Sequence, residues 1–172
     1  MKRTWSLLCL ILAGVFTLSG HAQETKDGIE LRVVKYAGLK EVIHKNRGKV
    51  ILVDFWAYFC VPCKKGFPHV VAMHKKLARE GLAVVSVSLD PIDDLASRDD
   101  ALRFLKKAGA EFTNLYLEEP ADLWQKKLGF PGPPCYFVFN RQGQWTKFEA
   151  GSEAPMDYEA MEKFIVERLH EK

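Results

Sequence analysis

The chain has 172 residues, 48% hydrophobic and 27% charged, a composition that fits one soluble globular domain plus a leader, with length enough for a sizeable core. Of the 25 basic residues, Lys2 and Arg3 lie in the first 22 positions, which hold no acid; the other 23 face 22 acidic residues, a net charge of +1. That balance gives no electrostatic case for nucleic acid or an anionic membrane as partner.

Lys2 and Arg3 form a positive start, Leu7 to Leu18 is an apolar run, and Gly20-His21-Ala22 offers the small residues a signal peptidase reads. The expectation is an export leader over residues 1–22 and a folded domain over 23–172, located in the periplasm or exported cell envelope. The alternative is an uncleaved N-terminal anchor or a buried helix, although the run is short for a comfortable membrane span. Cys9 lies within the run, in Ser6-Leu7-Leu8-Cys9. It lacks the leucine and small residue that precede a lipoprotein cysteine, and is not read as a lipid anchor.

After the leader, Ile29 to Tyr36 alternates like a strand, and Leu39, Val42 and Ile43 have helical spacing. Lys49 to Ala57 is nearly continuous apolar, as in a strand buried on both faces. A helix follows from about Cys60 to Arg79, with Pro68 inside it and Gly81 ending it. Leu82 to Asp90 is a second buried strand, and Asp99 to Gly109 an amphipathic helix. "FTNLYLE" reads as a short strand and "ADLWQKKLG" as a short helix. The stretch from Cys135 to Gly151 is a hairpin turning at Asn140–Gly143, and a closing helix carries Met161, Phe164, Ile165 and Leu169 on one face. Strands alternating with helices imply an α/β domain with a mostly parallel sheet covered on both faces.

The chemistry concentrates in "FWAYFCVPCKKGFPH", Phe55 to His69. A structural zinc site needs four ligands, usually two pairs. No second Cys-x-x-Cys or His-x-x-x-His exists, and Cys135, His44, His69, His74 and His170 lack that spacing. Once the leader is removed three cysteines remain, which cannot all pair in a stapling framework. The Cys60-Val61-Pro62-Cys63 stretch sits where a buried strand hands over to a helix. Cys60 is thereby expected at the helix N-terminus, where free backbone N–H groups and the dipole favour thiolate, with Lys64 and Lys65 adding positive charge. Cys63, one turn further in, is placed to attack a mixed disulfide, and Pro62 fits the first helical turn.

"VDFWAYFCVPCKKGFP" resembles the Trp-Ala-x-x-Cys-x-x-Cys site of the thioredoxin superfamily, with the helix proline five residues after the second cysteine at Pro68. "GFPGPPCYFVF" resembles its second signature, a proline followed by a hydrophobic strand. The leader, the Cys-Val-Pro-Cys pair and extra length around Asp90 to Leu117 are similar to the TlpA/ResA branch of exported thiol-disulfide oxidoreductases. The resemblance covers about residues 28–170. It implies a three-layer α/β/α sandwich with a central mixed sheet and an inserted strand–helix unit. It implies a redox-active Cys60–Cys63 disulfide, with Cys60 as nucleophile and Cys63 as resolving thiol, and no separate cofactor or metal. Pro134 maps onto the family's cis-proline. Partners implied are protein disulfides or dithiols, with a membrane reductase of the DsbD/CcdA type as electron donor and apocytochrome c or copper-assembly proteins as targets.

Three neighbours of the pair set expectations of their own. Asp54 corresponds to a buried family aspartate and is a candidate to take the proton of Cys63; the alternative is an aspartate satisfied by nearby backbone or water. Gly66 stands where the ResA branch often has glutamate, or is simply a permissive residue beside Pro68. Pro133 has no N–H to pair with a docked peptide, so contact is expected to rely on Trp56, Phe59 and Phe130 beside Pro133 and Pro134. Cys135 reads as a small apolar residue starting a buried strand rather than as a third thiol able to exchange or bind copper(I). Trp124 and Trp145 read as packing residues. The rival functions are a thiol oxidase of the DsbA kind, whose larger helical insertion is not found, and a copper(I) metallochaperone of the Sco kind, whose Cys-x-x-x-Cys "CVPC" does not match.

Overall fold

The computed structural model describes residues 28–150 and 155–171, so the expected leader, Cys9 included, lies outside the described residues. In chain order the elements are β1 (Arg32–Val34), α1 (Tyr36–Lys45), β2 (Val50–Trp56), α2 (Val61–Leu77), a 3-10 turn (Ala78–Glu80), β3 (Leu82–Ser88), α3 (Leu95–Ala108), β4 (Thr113–Leu117), α4 (Ala121–Leu128), β5 (Cys135–Phe139), β6 (Trp145–Glu149) and α5 (Tyr158–His170). The strands form one mixed sheet in the order β1-β4-β3-β2-β5-β6. Its first four members are parallel, β5 is antiparallel to β2, and β6 is antiparallel to β5. Strand β4 of the inserted unit lies between β1 and β3.

Alternation along the central strands divides the core in two. Val53, Phe55, Val85 and Phe137 pack with Leu39 and Val42 of α1 and Trp124 of α4. On the opposite face Leu52, Val84 and Val138 meet α2 and α5, while Trp56 meets α2 and α3. Every residue of β2 is buried. That makes Asp54 the one ionisable side chain on this strand.

Three elements differ from the sequence reading. Only Arg32–Val34 joins the ladder of β1, because Tyr36 already opens α1. Helix α3 begins at Leu95 rather than Asp99. The Asp94 side chain caps it, accepting from the Ser97 N–H at 3.1 Å and from the Ser97 hydroxyl at 2.5 Å. Trp145, on the edge strand, packs one face on Phe137 at 5.0 Å and stays 57% exposed, so it is only half a packing residue. At the end of the 3-10 turn, Gly81 takes φ +108°, a conformation a side chain would resist. No helix among the described residues is long and apolar enough to cross a membrane.

Candidate active site

Strand β2 ends at Trp56 and the chain turns through Ala57, Tyr58 and Phe59 into α2. Two ties hold that turn: the Cys60 N–H donates to the Ala57 carbonyl at 3.1 Å, and the Tyr58 N–H donates to both carboxylate oxygens of Asp90, at 2.8 and 3.1 Å. Cys60 is the N-cap of α2. It forms a disulfide with Cys63, with Cα atoms 5.3 Å apart, and the Cys63 backbone N–H donates to Cys60 Sγ at 3.2 Å. When the bond is reduced, that N–H and the positive helix end both favour a thiolate at Cys60. Both residues are buried, Cys60 at 7% exposure and Cys63 at 2%, which leaves Cys60 the more accessible residue of the pair.

The Pro133–Pro134 bond is cis. The Pro133 carbonyl oxygen lies 3.7 Å from Cys60 Sγ, so a reduced Cys60 thiol can donate to it. Around the pair, Phe59 and Val61 are exposed at 61% and 56%, and Pro62 and Pro131 are exposed. This is an apolar, flexible-side-chain-poor rim. Two of the residues expected to touch a partner do not reach that rim. Trp56 is 0% exposed and packs on Phe67 and Phe104, each at 5.2 Å. Phe130 is 3% exposed against Phe55 and Trp124. Both are buried, so of the three aromatics expected at the contact only Phe59 is exposed. The Lys64 ammonium sits over the Tyr58 ring, 4.4 Å from its centroid.

Beneath α2 a row of polar side chains crosses the sheet. Tyr136, Asp54, Ser86 and Asn114 are register partners on β5, β2, β3 and β4, all buried and all on the face toward α2. The Ser86 hydroxyl donates to Asn114 Oδ1 at 2.8 Å, and the Asn114 amide donates to the carbonyls of Ala110 and Phe112 at 2.9 Å each. On the other side the hydroxyls of Tyr136 and Tyr158 are 3.1 Å apart. Both flanking hydroxyls are thus engaged away from Asp54, whose Oδ1 is buried with no hydrogen-bond partner. Burial pushes the Asp54 carboxyl up to about 8.

A family model described as thioredoxin-like matches residues 48–145, a stretch that holds both cysteines and the cis-proline. The chain belongs to the thioredoxin-like family. Among curated proteins it is 27% identical over 157 residues to the thiol-disulfide oxidoreductase ResA of Bacillus subtilis, covering 87% of this chain and 84% of ResA. It is 51% identical over 41 residues to the protein DipZ of Mycobacterium bovis, a match that takes in 24% of this chain and only 6% of DipZ. Among solved structures, a Chlorobium tepidum protein assigned as the thiol:disulfide interchange protein DsbE superposes with a TM-score of 0.59 at 31% identity, over 74% of this chain and 84% of that one.

Within this thioredoxin-like domain the departures acquire physical content. A Cβ placed on Gly66 would lie 1.8 Å from the Tyr158 hydroxyl oxygen and 3.2 Å from that of Tyr136. Glycine here is a cradle for a tyrosine pair and not merely a permissive residue beside Pro68. Cys135 is fully buried and faces the α1/α4 layer, across the sheet from Cys60 and Cys63. Its thiol is pushed up to about 12, first by burial and then by Glu149. Among the described residues no group of three or more potential ligands is placed to hold a metal.

Two features escaped the sequence reading. Asp90 is 2% exposed, accepts from the Ser88 hydroxyl at 2.7 Å and holds the turn before Cys60 through Tyr58. An acid closing an apolar strand, just before Pro91, was the available clue. Tyr158 reaches Gly66 from the far end of the chain, and no local pattern links the two.

Proposed function

We propose that this chain is a thiol-disulfide oxidoreductase of the bacterial cell envelope that reduces disulfides in target proteins. The observation that carries the reading is the Cys60–Cys63 disulfide at the α2 N-terminus with the Pro133 carbonyl against Cys60 Sγ. In the reduced protein, the Cys60 thiolate attacks one sulfur of the target disulfide and displaces the other as a thiolate, which takes a proton from solvent. Asp54, once it has released its own proton, takes the proton of Cys63, whose thiolate attacks Cys60 Sγ and expels the second target sulfur as a thiolate, which takes a proton from solvent. Two electrons pass from the dithiol to the target, and the protein is left oxidised. The Cys63 N–H favours Cys60 as the first attacker, and deeper burial of Cys63 reserves it for resolution.

Target peptides dock on Phe59, Pro133 and Pro134. Residues 1–22 direct export and residues 23–172 form the working domain. Because the periplasm is kept oxidising, regeneration needs an outside electron source; a membrane reductase of the DsbD/CcdA type supplies it, and apocytochrome c or copper-assembly proteins receive the electrons. The Cys60–Cys63 reduction potential, measured by equilibration with glutathione or dithiothreitol, tests the direction. A couple more reducing than glutathione fits a reductase; a strongly oxidising couple overturns it in favour of a thiol oxidase. A Cys63→Ala variant traps the partner as a mixed disulfide for identification.

A further inference from the structure

We propose that the groove between α1 and the β5–β6 hairpin, on the sheet face turned away from the cysteines, binds an amphipathic carboxylate: an apolar chain of fatty-acid type ending in one carboxylate. The inference is independent of the redox chemistry, since the floor of the groove belongs to the α1/α4 side of the core and Cys60 and Cys63 to the other.

Two kinds of residue meet in this groove. The first is apolar. Val53 and Phe55 of β2 and Phe137 of β5 form the floor, because alternation turns them to this face. Above them Ile43 of α1, Leu128 of α4 and Phe139 of β5 are only partly covered, and Trp145 of β6 stands 57% exposed. That half-packed ring, 5.0 Å from Phe137, is one wall of a cavity of about 370 Å³. The size suits a small molecule, and such sites are mostly apolar with a few placed polar groups.

The second kind is cationic. Lys40 and His44 of α1, Arg47 just beyond it and Lys127 of α4 line the groove, and among the described residues no aspartate or glutamate does. Residues 23–172 hold 23 basic against 22 acidic residues, so this charge is a local concentration and not a bulk property. It is also unspent. Among the described residues Lys40, Arg47 and Lys127 form no ion pair, and the neighbouring Glu41 is engaged by Lys45 at 2.6 Å. The Lys127 ammonium lies over the Tyr36 ring, 4.6 Å from its centroid. Arg47 reaches over the hairpin turn, where its Nη2 donates to the Gln142 carbonyl in a long bond of 3.5 Å. Gly143 gives it room: φ is +86°, and a Cβ there would lie 3.2 Å from that nitrogen. One long bond leaves the other donors of the guanidinium fork for a carboxylate.

An apolar floor beneath an unpaired positive rim buries a hydrocarbon tail while pairing its charged end. The leader does not fit, because its apolar run comes with Lys2 and Arg3 and no acid. Helix α1 presents its carbonyl end near Arg47, a setting that suits a singly charged carboxylate better than a doubly charged phosphate.

The test is calorimetric titration of the oxidised protein with decanoate, decanol and decyl phosphate, each below the concentration at which it self-associates, with tryptophan emission followed in parallel. Decanoate should bind at one saturable site per chain and more tightly than the other two. It should shift the emission, and the shift should fall in Trp145→Phe while the heat of binding remains. Lys40→Gln and Arg47→Gln together, both exposed side chains, should weaken decanoate about tenfold or more, as expected for lost charge-assisted hydrogen bonds, and leave decanol where it was. Trp145→Ala should weaken both by removing a wall. Decanol binding the wild type as tightly as decanoate, or decyl phosphate binding more tightly, overturns the carboxylate. Uptake without saturation, or saturable binding that these substitutions do not move, overturns the site.

Discussion

Asp54→Asn should flatten the dependence of stability on pH. The native carboxyl is pushed up to about 8 by burial, against roughly 3.9 in an unfolded chain. From about pH 4 upward the unfolded chain has released this proton and the native state keeps it, so unfolding releases a proton and stability falls as pH rises. The fall levels off above about pH 8, where the native state has lost the proton too. Each pKa unit is worth about 1.4 kcal/mol, so from pH 5 to 8 the wild type should lose on the order of 3 to 4 kcal/mol through this residue alone. Asparagine has nearly the same shape and does not titrate. Its absolute stability is a poor guide, because the new amide also lacks partners in a site where Oδ1 already has none. The difference in slope is the proper readout, since every other titrating group cancels in it. Urea unfolding of the oxidised proteins at four pH values supplies that difference. Parallel curves for wild type and variant would show that Asp54 is ionised throughout, and the account of the buried row would then be wrong.

Replacing Asp90 by Ala should cost about 1 to 3 kcal/mol, the usual penalty for leaving a buried donor unpaired, because the Tyr58 N–H loses its acceptor; urea midpoints of the oxidised proteins measure it. Pro133→Thr should react faster with a peptide disulfide, since it restores the backbone donor that proline lacks; an unchanged second-order rate would count against backbone docking at this position. Cys135 should resist maleimide labelling in the native oxidised protein at pH 8 and label at once in urea, because its thiol is buried and pushed up to about 12.

Most of the architecture could be read from local pattern, for reasons visible in particular residues. The run Val50–Trp56 is apolar on both faces because β2 is central, and a fully buried strand needs no alternation. The redox pair was legible because its chemistry needs only one turn of helix, and Pro68 and Pro134 punctuate the chain on either side. The start of α3 was missed because its cap, Asp94 to Ser97, stands before a stretch with little apolar periodicity: only Ala101 and Leu105 of that helix are buried. Assigning Trp56 to the contact surface erred for a related reason. Trp56 takes the sheet face of the cysteines, but Phe67 of α2 and Phe104 of α3 cover its ring, and adjacency to Cys60 along the chain does not reveal that cover.

The environment of Asp54 could not have been read in the same way. A carboxylate in a buried strand announces a cost, but whether that cost is met depends on what the neighbouring strands and helices offer. Ser86 and Tyr136 flank it through strand pairings that no local segment encodes, and each spends its hydroxyl elsewhere. Gly66 looked like the loss of an acid when only its own helix was considered. With Tyr158 in view, the same glycine admits a hydroxyl from α5 to within a side chain's reach of the sheet. A glutamate at this position and a tyrosine hydroxyl in this space exclude each other sterically, since the first carbon of any side chain on Gly66 would fall 1.8 Å from the Tyr158 oxygen. A Gly66→Glu, Tyr158→Ala double substitution should accordingly fold better than Gly66→Glu alone.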